Sequence, residues 1–524
     1  MKTRMLIKWL VPLLAIALLL GVTQSAFAQD PQPPDLKKVA EAAADTTTSL
    51  NVIWVLIAGM LVFFMQAGFA LVETGFTRAK NVTHTMMMNM MVFCIGALGY
   101  WLTGFAFQFG GVNFTFADKW SFSPVTLGDW TGLLDKPLLI AGNNVLGLTG
   151  FALAGVGANF GVLVFFFFQM VFMDTAATIP TGAMAERLKF VGFALMALWV
   201  SMFIYPLIGG WVWGGGWLQN LGRSAGFGNG AVDFAGSGVV HMIGGTLGLV
   251  GAIVLGPRLG KFNKDGSANP TPGHNIPMGV LGTIILFFGW FGFNPGSALG
   301  FVGSFRNLAV LAAINTLMAG AAGGVAAMLY MWVIHPGKKP DASASVNGIL
   351  AGLVAITAPC AFVDTTSAVI IGLVAGVLVC LATFALEKLK IDDPVGAVPV
   401  HFVNGFWGVL AVGIFANGNA DTANWNGVAT PVTGLLYGSS SQIIAQLAEA
   451  GSIIVVVGGL SYVFFKILHA LGLLRSSAED ELKGLDIPEM GAEGYPKDWG
   501  TAPDHRVKPH TAVPVGAGLP ATGD

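Results

Sequence analysis

Two histidines stand at matched places in the chain. His241 lies in DFAGSGVVHMIGG (residues 233–245) and His401 in DPVGAVPVHFVNG (residues 393–405). Each follows an aspartate by eight residues, Asp233 and Asp393, and the two pairs are 160 residues apart. An imidazole can donate, accept or pass a proton near neutral pH. The stretches around them are small-residue and apolar, so each histidine is expected inside a membrane-crossing helix. An ionisable residue there is costly and normally faces a cavity or a partner. Metal binding fits poorly. Eight helical residues rise about 12 Å, too far for Asp233 and His241 to share an ion, and two histidines without a third ligand make a weak site. Asp233 is instead expected to cap the start of its helix, accepting from backbone N–H groups that have no partner there. Two readings of the histidines stay open at this point. They are a pair facing each other in a pore, or separate core residues that hold helices together.

The composition says what must position them. The chain has 524 residues, 54% hydrophobic and 10% charged, with mean hydropathy +0.71. Soluble domains carry about 25% charged residues, so lipid is the solvent here. A net charge of −2 gives no reason to expect nucleic acid. The three cysteines, Cys94, Cys360 and Cys380, lie in apolar runs without paired spacing, so neither a disulfide framework nor a zinc site is indicated. The 72 glycines suit closely packed membrane helices. At the N-terminus, Lys2, Arg4 and Lys8 precede an apolar run ending at Ala26-Phe27-Ala28. This is the pattern of a secretory signal peptide cut after Ala28, with an uncleaved anchor helix as the alternative.

A spanning helix needs about 20 apolar residues. Eleven candidates start near residues 51, 85, 153, 188, 232, 275, 306, 344, 366, 396 and 440. Alternate connections hold eleven basic residues, among them Arg78, Lys80, Arg187, Lys189 and Arg258, against four on the other side. The basic-rich side reads as cytoplasmic. That puts the N-terminus outside and the C-terminus inside, in an inner (cytoplasmic) membrane. The histidines then fall on spans five and ten, which run in opposite directions. Two five-helix halves with matched features and opposed direction form an inverted repeat, whose site lies near the midplane. The predicted architecture is all-α: two inverted five-helix repeats plus a final long helix. Its parts are a signal peptide (1–28), an outer N-terminal segment (29–50), a membrane domain (51–474) and a cytoplasmic tail (475–524). Residues 110–150 read as an outer loop.

Aromatic and small polar residues gather in FFFFQMVFMDTAATIPTGAMAERLKF, WVWGGGWL and FFGWFGFNPGSALG. With QAGFALVETGFTRAKN, DFAGSGVVH and DDPVGAVPVHFVNG, these segments resemble the ammonium transporter family, in order over roughly residues 50–490. The bacterial and plant type is closer than the Rhesus branch, because VWGGG and the serine of FNPGS belong to the former. The resemblance implies a homotrimer with one pore per subunit and ammonium or ammonia as substrate. It implies an outer site of Trp213, Phe172 and Ser297, a gate of Phe172 and Phe293, His241 and His401 as the pore pair, and Asp233 supporting the entrance. Asp174 departs from the family pattern. Two helical positions turn about 200°, so it is expected to point away from the Phe172 face and make an interhelix or subunit contact, paired or hydrogen-bonded within the bundle.

The tail segment ELKGLDIPEMGAEGYPKD resembles the family's cytoplasmic segment, which works with trimeric PII-type regulatory proteins in relatives. Residues 484–495 are expected to order against connections such as Arg187 and Lys189. No serine or cysteine is paired with a base, so an intramembrane enzyme is not expected, nor is any cofactor. The rival function is an ammonium-sensing receptor with little flux.

Overall fold

The computed structural model describes residues 35–113, 125–140, 142–336, 338–423 and 425–496. The signal peptide expected at 1–28 and the chain beyond residue 496 lie outside the described residues. The regular elements among the described residues are almost all helices. Apolar helices follow one another as α1 (Leu36–Phe76), α2 (Ala79–Phe109), α3 (Phe160–Met184), α4 (Phe190–Trp213), α5 (Ser237–Leu255), α6 (Ile276–Gly296), α7 (Ser304–Ile334), α8 (Ala342–Thr357), α9 (Thr365–Lys388), α10 (Val398–Phe415) and α11 (Ser441–Ala470). All but α8 are long and apolar enough to cross a membrane. At 16 residues, α8 rises about 24 Å, short of the roughly 30 Å hydrocarbon core. Ten spans are thus established by length and composition. The eleventh rests on its place in the order.

Short polar side chains set where several helices start. Asn159, Asn275, Asp341 and Asp364 each accept a hydrogen bond from an N–H of the first turn of α3, α6, α8 and α9, satisfying donors that have no partner within the helix. Two boundaries differ from expectation. The first helix starts at Leu36, capped by Asp35, and not near residue 51. Its exposed N-terminal part runs through most of the segment expected to be a separate outer stretch. The third helix starts at Phe160, after a left-handed turn at Gly150 and a short 3-10 turn. The 110–150 loop also holds an antiparallel hairpin, β1 (Pro137–Ile140) and β2 (Asn143–Gly147).

Helices α3 and α5 are buried along most of their length, whereas α7, α9 and α11 expose apolar faces at the rim. Large side chains such as Ile284, Phe288, Val455 and Val463 point outward, as lipid contact requires of a helix whose backbone bonds are satisfied internally. Between α1 and α6 the backbones nearly touch: a Cβ on Gly75 would lie 2.6 Å from the Gly279 nitrogen. Membrane helices pack this way because the lipid gives no hydrophobic drive, leaving van der Waals contact to hold them.

Candidate functional site

The site grows from one backbone motif used twice. Asp233 Oδ1 accepts from the N–H groups of Gly236 and Ser237, and Oδ2 from those of Gly238 and Val239, at 2.7–3.0 Å. Asp393 accepts from Val395, Gly396 and Val398. Each aspartate is followed three residues later by a glycine at positive φ, Gly236 (111°) and Gly396 (81°), a turn that L side chains resist. Each motif then opens into a π-helical turn, Ser237–Met242 and Val398–Val403, that carries the histidine. Such turns often mark functional positions.

Four residues past each histidine stands another glycine, Gly245 and Gly405, again 160 residues apart. A Cβ on Gly245 would lie 2.3 Å from the Phe402 nitrogen, and one on Gly405 would lie 2.6 Å from the Ser237 carbonyl. α5 and α10 therefore cross backbone to backbone at the level of the imidazoles. His241 Nδ1 and His401 Nδ1 are 3.2 Å apart. In a neutral pair one Nδ1 donates and the other accepts, so the two rings hold opposite tautomers. His241 is fully buried and its Nε2 has no partner. The ring is stacked by Trp290 (centroids 5.2 Å) on α6, which fixes its plane.

Above His241 the way is closed by Phe172 of α3 and Phe293 of α6, stacked with centroids 4.0 Å apart. Phe293 lies 5.6 Å from the His241 ring. Beyond that pair is a chamber of about 20 Å³ bounded by Phe168, Phe172, Trp213, Phe234, Ser297 and Trp425, room for one water-sized molecule. The Trp213 indole donates to the Asp233 carbonyl (2.8 Å). Ser297 Oγ donates to the Phe293 carbonyl (2.9 Å), leaving its lone pairs free to accept. Trp425 donates to the Ser297 carbonyl (2.9 Å). The chamber thus offers aromatic faces and one hydroxyl acceptor, a set suited to a small cation able to donate hydrogen bonds. All the site residues expected from the sequence meet here along one line: Trp213 and Ser297, then Phe172 and Phe293, then His241 and His401. Asp233 braces the chamber wall.

Known proteins bear directly on this arrangement. The model of the Ammonium Transporter Family matches residues 53–495. The chain belongs to the ammonium transporter family. It is 44% identical to ammonium transporter Amt2 of Archaeoglobus fulgidus over 85% of this chain and 88% of that one. It is 35% identical to ammonium transporter 1 member 3 of Solanum lycopersicum over 86% and 94%. Among solved structures it resembles a Sensor Amt Protein (36% identity, TM-score 0.71, covering 85% of this chain and 99% of that one) and Mep2 of Candida albicans (26%, 0.67, 82% and 87%). Its relatives are transporters, not enzymes. Among the described residues no group of three or more His, Cys, Asp or Glu stands close enough to hold a metal ion.

The far end of the two histidine helices in this transporter has other chemistry. α5 ends at Leu255, where Arg475 and Arg187 donate to the last carbonyls, Leu255 and Gly256. α10 starts from that same end, so the two histidine helices run in opposite directions, as expected. Arg258 is buried between Asp392, which it holds with two guanidinium bonds (2.8 and 2.9 Å), and Glu186 (2.9 Å). Arg78 also binds Glu186. Burial by itself would raise the Asp392 carboxyl, but the Arg258 bonds and the Arg187 and Arg258 charges outweigh it and hold it at about 2. Burial pushes Arg187 down to about 10, still charged at neutral pH. Asp393, next in sequence, lines a cavity of about 300 Å³ with Phe76, Asn347 and Val395.

The tail closes over this end. Ser476 N donates to the Arg187 carbonyl, and Lys189 N to that of Leu474. Glu481 binds Arg475 (2.7 Å) and accepts from Leu259 N (2.6 Å). Asp486 accepts from His84 N (2.9 Å). Contact with the connection around Arg187 and Lys189 is made by residues 474–476 and by Glu489, which accepts from Phe190 N (3.3 Å). Leu485 and Asp486 dock on the start of α2, and Tyr495 lies 3.0 Å from the His274 ring.

Asp174 needs correction. It is buried, yet its Oδ1 has no hydrogen-bond partner and it makes no ion pair among the described residues. The 200° rotation keeps it off the gate face but brings it no partner. Sequence reasoning also missed several residues. Trp290 and Trp425 were lost among many aromatics, since nothing in their spacing separates them from interface residues. The Gly236/Gly396 and Gly245/Gly405 pairs were legible, because they repeat at the same offset as the histidines. Glu73 was overlooked too. It is buried in α1, accepts from Asn89 Nδ2 (2.9 Å) and lies 2.9 Å from the Thr181 hydroxyl.

Proposed function

We propose that the protein carries ammonium across the membrane by binding the cation in the aromatic chamber, removing one proton, and passing ammonia between Phe172 and Phe293 and along the two imidazoles. The observation that supports this most is the order of surroundings along a single line: a cation-sized chamber, a stacked phenyl pair, then a buried imidazole nitrogen without a partner. Moving an ammonium-sized ion into an apolar interior costs several kcal/mol even after relaxation. Cation–π contact returns about 0.5–2 kcal/mol, enough to hold the ion at the mouth but not to carry it through a phenyl pair. Ammonia bears no such penalty. Potassium has no proton to lose, so it is refused at the gate. The aromatic mouth faces outward and the Arg-rich end faces the cytoplasm, as the basic connections suggest. The family resemblance adds a homotrimer and a PII-type partner at the tail.

One feature favours a second reading, an ammonium sensor with little flux: the Sensor Amt Protein is similar over nearly its whole length. Flux into proteoliposomes separates the two. Ammonium uptake with potassium excluded supports transport, and an accompanying current shows that the proton crosses too. Saturable ammonium binding without uptake supports the sensor and ends the transport reading. In the same assay, truncation after Leu474 is expected to change the rate, because it strips Glu481 and Asp486 from their partners. Truncation after Thr501 is expected to change nothing. Equal rates for both would remove any coupling role from the tail.

A further inference from the structure

Besides the bracing Asp233, three carboxyls of the spanning helices are buried without an ion pair among the described residues: Glu73, Asp174 and Glu449. Glu73 is satisfied by Asn89 and Thr181. Nothing packed near Asp174 suggests a task. Glu449, on α11, is different, because it stands beside the braced aspartate of the mouth.

The Glu449 carboxyl crowds against Gly238, whose N–H is accepted by Asp233 Oδ2 (2.9 Å), so the two carboxyls stand side by side. It is fully buried, and its Oε1 has no N–H or O–H donor. Its Oε2 has only the Gln446 amide at 3.4 Å. Asp233 is the reverse: each oxygen already accepts two backbone N–H groups. That fills the roughly four lone-pair positions of an ionised carboxylate, so Asp233 is the anion. Two carboxylates side by side inside an apolar bundle cannot both be ionised. The other titratable groups acting on Asp233 are Tyr205 of α4 and Cys360 of the connection after α8, neither of them a cation.

Room for the contact comes from Gly238, where a Cβ would lie 2.2 Å from Glu449 Oε1. One turn earlier on α11, Gln446 accepts from Val232 N and donates to Val232 O, both at 2.8 Å. Two side chains of the last helix thus grip the segment 232–239.

We propose that Glu449 is a positioning residue: a neutral acid that donates its proton in a hydrogen bond to the Asp233 carboxylate, tying α11 to the start of the His241 helix and keeping a single negative charge beneath the cation chamber. Only the flux arm of its test rests on the transport reading. Glu449→Gln keeps the volume and a donor, and Glu449→Leu keeps the volume without one. In the infrared difference spectrum of purified Glu449→Gln against the parent protein, the carbonyl stretch of one protonated carboxylic acid is expected to disappear. No such loss means that Glu449 is ionised, and the proposal fails. In proteoliposomes, Glu449→Gln is expected to stay within about two-fold of the parent per folded molecule, while Glu449→Leu falls about ten-fold or more, the worth of one charge-assisted hydrogen bond. Glutamine as impaired as leucine, or leucine as active as the parent, overturns the positioning role. Should the parent itself carry no flux, thermal unfolding of the two variants takes the place of rate, with glutamine near the parent and leucine well below it.

Discussion

The two histidine helices start from one motif and lie in different surroundings. Asp233 and Asp393 brace the same kind of turn and present histidines that meet at 3.2 Å. Around Asp233 everything is aromatic or neutral, and the chamber holds about 20 Å³. Around Asp393 lie a cavity of about 300 Å³ and, through Asp392, a buried arginine network. The motif therefore fixes geometry alone, and the flanking side chains decide the chemistry. The selection by desolvation proposed above would need tight apolar surroundings, and these lie around the first motif. The end around the second motif holds the bundle together through the Arg258 network and leaves open space beside Asp393.

If that division is right, the largest effect on stability belongs to the arginine end. Arg258→Ala leaves Glu186 and Asp392 buried with their main partner gone, and should cost about 3–5 kcal/mol, read as a large drop in unfolding temperature in detergent. The pH dependence has a fixed sign. Asp392 titrates near 2 when folded and near 3.9 when unfolded. Its contribution of about 2 kcal/mol is complete above roughly pH 4 and is lost as pH falls toward 2. Asp392→Asn should flatten that acid limb. A mutant that keeps the full limb would break the assignment.

Next come the histidines. His241→Ala and His401→Ala should each change flux or ion selectivity by about ten-fold or more, the usual scale for losing a proton-handling group, while the protein still folds. Parent behaviour in both would leave them as packing residues and dissolve the comparison. A smaller effect is expected at the mouth. Trp213→Leu removes one cation–π face, about 1 kcal/mol or roughly five-fold in half-saturating ammonium, with unfolding temperature almost unmoved. The smallest belongs to Asp174→Asn. A carboxyl without a partner gives the fold nothing to lose, so stability should stay within about 0.5 kcal/mol or rise. A loss above about 1 kcal/mol would show a partner.

Much of this could be read in the sequence, for particular reasons. The His241/His401 pairing followed from a repeat at fixed offset in two apolar stretches, and inverted symmetry demanded that they meet. Helix order came from apolar length and Lys/Arg placement, which local composition determines. Boundaries were less legible. α1 begins at Leu36 because Asp35 caps a run of good helix formers that hydropathy alone does not register. Phe172, Trp213, Phe293 and Ser297 were reached through family resemblance, since aromatic residues are spread across every helix. The Glu449–Asp233 contact joins residues more than two hundred positions apart on unrelated motifs, so no local pattern announces it. Asp174 misled for a related reason: rotation about a helix axis gives direction, whereas a partner depends on neighbouring helices.

The docking of the tail bears on how the molecule is made. Glu481 and Asp486 reach backbone groups 222 and 402 positions earlier in the chain. Contacts between such distant segments form only after everything between them is in place. A nascent chain still held at the ribosome by its last helix has every span but α11 delivered and these bonds unmade. Latching of the Arg-rich end therefore comes late in folding, and a chain stalled before residue 481 lacks the Glu481 and Asp486 bonds that close it.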